Sequence, residues 1–114
     1  MANRYYLSLN DPGKARGTDT AFAFTAQGAA EYAAQLQQAL RSDALFQRWR
    51  DAQPDPDEID ASLAAIDPAA TVVGEQHDLR IDLIAVTRLP GSVLKHRLKL
   101  LAGSGWQLRD VVKA

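Results

Sequence analysis

The stretch LRIDLIAVTR, Leu79 to Arg88, limits the folds open to this chain more than any other segment. In an extended chain Leu79, Ile81, Leu83 and Ala85 fall on one side, and Arg80, Asp82, Ile84, Val86 and Arg88 on the other. The first side is wholly apolar and has to face a core, whereas the second begins charged and becomes apolar. Just upstream, TVVGEQ reads as a partner strand, joined by a turn near Gln76, His77 and Asp78. So short a connection permits only antiparallel pairing, because a parallel crossover needs about a dozen residues or more. The chain is therefore expected to fold around an antiparallel sheet with a core on at least one side.

Two further alternating segments precede this pair. RYYLSLN sets Tyr5, Leu7 and Leu9 against Tyr6 and Ser8, and AFAFTA repeats the device with Phe22 and Phe24, so both read as strands. Between them DPGKARGTDT, with its Asp-Pro-Gly and second glycine, reads as a long hairpin loop with a mobile basic tip. From Gly28 the period becomes helical, placing Ala29, Tyr32, Ala33, Leu36 and Leu40 on one face, with alanines that permit close approach to a sheet. Ser42 and Asp43 then read as the cap of a second helix whose apolar side is Leu45, Phe46 and Trp49. Asp55, Pro56 and Glu58 follow the rules for the start of a third, with Ile59, Leu63 and Ile66 as its core stripe. After the strand pair Ser92 caps a helix that Gly103 stops, and WQLRDVVK returns as a last strand. The order is ββαααββαβ, an α+β arrangement in which a mostly antiparallel sheet of four to five strands packs against helices. At 114 residues the chain makes one domain, residues 1–114, with one modest core.

Composition narrows the chemistry. There is no cysteine, so no disulfide, thiolate nucleophile or thiolate metal site is available. The first apolar run is too short for a signal-peptide core and no segment approaches the ~20 apolar residues of a membrane span, so the expected location is the cytoplasm. A net charge of −1 weighs against a dedicated nucleic-acid binder, which needs a basic excess to replace phosphate counterions. The charge is unevenly spread, with six Lys and Arg against twelve Asp and Glu up to Leu79, and seven against two from Arg80 onward.

The basic half includes TRLPGSVLKHRLKLLAGSGWQLRD. On its helix Val93, Leu94, Leu98, Leu100, Leu101 and Ala102 make an apolar arc, with Lys95, His96 and Lys99 grouped outside it. Arg97 falls inside the arc, so it is expected either to run along the helix to water or to meet a carboxylate, with Asp110 the candidate. Trp49 and Trp106 read as core residues. A helix start after RLPGSV offers unpaired backbone N–H groups to an anion. This gives one functional reading, a nucleic-acid or phosphate-ligand site made by Arg88, Gly91, Ser92, Lys95, His96 and Lys99, weakened by the lack of aromatics interleaved with them.

The motifs that carry catalysis or metals fail in their details. GKARGT has its lysine directly after the first glycine and joins two expected strands, unlike a phosphate loop. Counted from Asp55 as a calcium loop, the positions that need an oxygen ligand, a glycine and a glutamate hold Ile59, Asp60 and Ile66. His77 and His96 lack metal-ligand spacing and read as surface residues, and Ser104 in GSGW has a helix before it where a nucleophile elbow needs a strand. The sequence thus gives no catalytic residue, no metal and no cofactor. Ile84 and Val86, with Tyr6 and Val111, would form an apolar patch if every helix lay on the other side of the sheet. The leading expectation is therefore a non-enzymatic protein that binds a protein partner, a second copy of itself included, through the open sheet face.

Overall fold

The computed structural model describes residues 2–114. Its regular elements are β1 (Asn3–Leu9), α1 (Ala29–Arg41), α2 (Ala44–Asp51), β2 (Thr71–His77), β3 (Arg80–Thr87), α3 (Gly91–Ala102) and β4 (Gln107–Lys113). The four strands form one antiparallel sheet in the order β2-β3-β1-β4, and the fold is α+β. The strand pair read from the sequence is β2 and β3, with His77 opposite Arg80, so the turn consists of Asp78 and Leu79. Asp78 takes a left-handed φ of 54°, and Gln76 Nε2 braces the turn by donating to the carbonyls of Asp78 and Arg80. Leu79, expected on the core side of β3, lies in this turn and is exposed.

Core-facing residues alternate along β1 and β3: Tyr5, Leu7, Leu9, Ile81, Leu83 and Ala85 are buried, with Val72 from β2, and only Ser8, on the other side of β1, is fully buried outside that alternation. Helix α1 covers them with Tyr32, Ala33, Leu36 and Leu40, and α3 with Val93, Leu94, Leu98 and Leu101. The approach of α1 to β2 is close: a Cβ on Gly74 would collide with the carbonyl oxygen of Ala29 and press on Ala33.

Two expected elements are absent, for different reasons. Residues 21–26 do bury Phe22, Phe24 and Ala26 in alternation, but they pair with no strand. The Phe24 amide donates to the Leu101 carbonyl of α3, the Thr25 amide to Gln35 Oε1, and the Phe24 and Ala26 carbonyls accept from the Arg16 guanidinium at 2.6 and 2.8 Å. Period-two burial identifies an extended chain with one side inward and leaves the hydrogen-bond partner open. The same bonds correct the expected mobile tip. Arg16 also lies 5.3 Å from the Tyr32 ring centre, Ala15 is fully buried, and Gly17 sits where a Cβ would strike the Leu100 carbonyl.

Residues 55–66 form two short 3₁₀ turns, Pro56–Glu58 and Ala61–Ala64, instead of a third α-helix. Asp60, not Asp55, supplies the cap, its carboxylate accepting from both the amide and the hydroxyl of Ser62. Ile66 is exposed and Ile59 half-buried, so the expected core stripe does not exist. In α3 the cap position is Pro90 and Ser92 is an exposed residue of the first turn, while Gly103, at φ 61°, ends the helix as expected.

Arg97 follows neither expected route. It is fully buried and meets no carboxylate; its guanidinium donates to the carbonyls of Ala39 at 3.1 Å, Leu63 at 2.6 Å and Ala65 at 3.0 Å, and lies 5.4 Å from the Phe46 ring centre. Asp110 is exposed on β4. Replacing Arg97 by Met keeps the stem and removes all three donors, and should cost about 2 to 4 kcal/mol by leaving enclosed carbonyls unpaired. Chemical denaturation would measure this, and hydrogen exchange should show residues 59–67 opening first. An Arg97→Met protein of unchanged stability and unchanged exchange in that segment would refute the role.

Candidate functional site

Two surfaces come out of this framework, on opposite sides of the sheet. The first is the face that no helix covers. Directly opposed residues in an antiparallel sheet share a face, so the registers give its rows. One row runs Thr71, Val86, Arg4, Val112; the next runs Val73, Ile84, Tyr6, Asp110; the third runs Glu75, Asp82, Ser8, Gln107, with His77 and Arg80 beyond it. The first two rows are mainly apolar, interrupted by Thr71, Arg4 and Asp110, and hold Val73 at 56% exposure and Val112 at 38%, with Ile84, Val86 and Tyr6 half-buried. The polar end closes on itself. Asp82 pairs with Arg80 at 3.0 Å and His77 at 3.4 Å, and His77 reaches Glu75 at 3.3 Å.

Of the four interface residues named from the sequence, Tyr6, Ile84 and Val86 lie together on this face. Val111 does not. It pairs with Tyr5, which is buried under the helices, because β4 carries a bulge opposite Tyr6 and Leu7 that shifts its alternation. Val112 takes the place expected of Val111, and nothing in the residue pattern of β4 announces the bulge. Every residue of β4 is exposed.

The second surface is a cleft of about 630 Å³ on the helical side. Trp49 in the last turn of α2 and Gln53 just beyond it form one wall, Lys95, Lys99 and Leu100 of α3 another, and Thr18, Asp19, Phe22, Ser104 and Trp106 close it. The walls are fixed by backbone: the amides of Gly17 and Phe24 both donate to the Leu101 carbonyl, at 3.0 and 2.9 Å, pinning the 17–24 loop to the last turn of α3. Trp49 and Trp106, expected inside the core, pack on its margin and remain partly exposed in this cleft. Helix α2 is only eight residues long and spends its buried positions on Leu45 and Phe46, so Trp49, one turn on, reaches past the core.

The anion site expected at the start of α3 is divided by the fold. The Arg88 amide donates to the Asp67 carboxylate at 2.9 Å and the Leu89 amide to the Thr87 hydroxyl at 3.1 Å, so these two donors are already used. Arg88, Gly91 and Ser92 stay near that corner, whereas Lys95 and Lys99 line the cleft. His96, read as a surface residue, packs edge-on against Trp49 with ring centres 4.5 Å apart, and its Nδ1 is buried without a partner. Among the described residues no group of three or more His, Asp or Glu is placed to hold a metal ion, and no helix is long and apolar enough to cross a membrane. Compared with protein-family models, curated proteins and solved structures, the chain gives no match.

Burial against Trp49 and Phe46 lowers the His96 pKa from the ordinary 6.5, aided by the charges of Arg97 and Lys99. The Asp67 pKa is lowered as well, but by hydrogen bonding that favours its charged form: the Arg88 amide holds it below the usual 3.8 despite burial. For His96 the sign is that of a buried neutral base. Above pH 6.5 the ring is neutral folded or unfolded; below it the unfolded chain takes up the proton first, and stability falls until the lowered folded value is passed. NMR titration should therefore place the His96 midpoint below 6.5, and His96→Phe should flatten the loss of stability in that window. A midpoint at or above 6.5 would contradict the burial argument.

Proposed function

We propose that the protein works by binding protein, without catalysis of its own, through the uncovered face of its sheet, and that the partner is a second copy of the chain. One observation carries the reading: α1, α2 and α3 all lie on one side, which leaves Val73, Ile84, Tyr6, Val86 and Val112, with Thr71, Arg4 and Asp110 among them, in two adjacent and mainly apolar rows on the other. The protein is only 19 Å deep in its thinnest direction, as one sheet and one helical layer require. A two-fold axis parallel to the sheet, above its uncovered face, running across the strands and between these rows, would set these rows of two copies on each other. The polar network of Glu75, His77, Arg80 and Asp82 then falls outside the overlap, giving a mainly apolar centre with a polar rim.

Light scattering across concentration tests this. The expected mass is about twice the 12.4 kDa of one chain at high micromolar concentration. Val73→Asp places a charge on an exposed position of the apolar row, so it should weaken association about tenfold or more while leaving the melting of the single chain intact. A chain that stays single up to about 200 µM, or a Val73→Asp protein that associates as the native one does, would overturn the reading.

A further inference from the structure

The cleft on the helical side is independent of the sheet face and has its own chemistry. Both tryptophans of the chain line it, brought together from sequence positions 57 residues apart. Lys95 and Lys99 stand one turn apart on the same wall, and neither has a carboxylate within ion-pair distance among the described residues. The acidic residue of the lining, Asp19, is held by the amide of Ala21 at 2.9 Å. Partly exposed indole rings leave a large apolar area in contact with water, and two unpaired ammonium groups beside them favour negative charge. The volume, about 630 Å³, lies within the range of small-molecule sites and is concave, unlike a flat protein interface.

We infer that this cleft binds a small molecule with a flat aromatic body and an anionic group, the rings stacking on Trp49 and Trp106 and the anion lying against Lys95 and Lys99. The aromatics that the sequence does not interleave with the basic helix are supplied by tertiary structure, from the end of α2 and from the turn before β4. Two lysines suffice for one phosphate or carboxylate. A polymer would require a longer positive track, and Arg88 does not extend this one because it is not part of the cleft.

Since the chain has no other tryptophan, intrinsic fluorescence reports on the cleft directly. The probes are adenosine monophosphate and naphthoate, which carry a ring with a phosphate or with a carboxylate, and adenosine and inorganic phosphate, which carry one feature each. Saturable quenching by at least one of the ringed anions is expected, and whichever is tighter identifies phosphate or carboxylate as the preferred group. Adenosine and inorganic phosphate should each bind about tenfold more weakly than the ringed anion that binds. Lys95→Glu with Lys99→Glu should weaken that binding about tenfold or more at unchanged melting temperature, and Trp106→Phe should remove part of the quenching while the fold is checked by circular dichroism. The inference is overturned by no saturable quenching from either ringed anion up to about 1 mM, by binding indifferent to the lysine substitutions, or by inorganic phosphate binding as tightly as the ringed anions. It is equally overturned if only an acidic, phenylalanine-containing peptide free of tryptophan quenches, since that would make the cleft a protein-docking site.

Discussion

Arg97 stands in the apolar arc of α3, and the manner in which its charge is satisfied determines how three parts of the chain meet. A guanidinium has five donors and no way to lose its charge, so its burial requires acceptors on several sides. Here they are backbone carbonyls. Ala39 lies in the last turn of α1, where carbonyls have no intrahelical partner and the helix dipole favours a cation. The neighbouring orphan carbonyls are met in the same region, Gln38 by the Ser42 amide and Leu40 by the Asp67 amide at 2.8 Å. The other two acceptors of Arg97, Leu63 and Ala65, hold a segment with no regular helix of its own. Asp67 continues the lacing by capping the corner between β3 and α3 through Thr87, Arg88 and Ala69. Polar bonds, more than apolar burial, therefore keep residues 59–70 in place.

With that segment tied to the helices, all covering material lies on one side of the sheet. The opposite face keeps mainly apolar rows beside a self-paired polar network, and β4 has every residue exposed. Its bulge and its charged residues Arg109, Asp110 and Lys113 are devices that discourage indiscriminate pairing along a free edge. Association through the face and protection of the edge are compatible, because a face presents side chains whereas an edge presents backbone.

The cleft follows from the same economy. The 15–26 loop gives its backbone bonds to the last turn of α3 and to Arg16, and the close contacts at Gly17 and Gly105 leave no room for a side chain at either position. The loop thus forms a fixed rim against α3. Trp49 and Trp106, each one step beyond the end of the buried core, face each other's neighbourhood across the lysines of α3. Function on the helical side and on the sheet side would then be separable, since different elements build the two surfaces.

By itself the sequence determined the class and most of the layout. The alternation in β1 and β3 and the helical period in α1 and α3 identify those elements and their buried sides, because periodicity is a local property of each segment. The short turn at Asp78 and Leu79 made the β2–β3 pair antiparallel. Tertiary structure decided what depends on partners distant along the chain. Phe22 and Phe24 alternate like a strand, yet their backbone bonds go to α3 and Arg16. The acidic run after Asp55 obeys helix-start rules, yet Asp60, Ser62 and Arg97 hold it in short turns. Arg97 was recognisable as a misfit in its arc, but its acceptors are carbonyls, which carry no residue identity to read. The face of Val111 turned on a bulge, and the joining of two tryptophans with two lysines turned on the packing of α2, α3 and the last turn. Both arise from contacts between segments far apart in sequence, where local pattern carries no information.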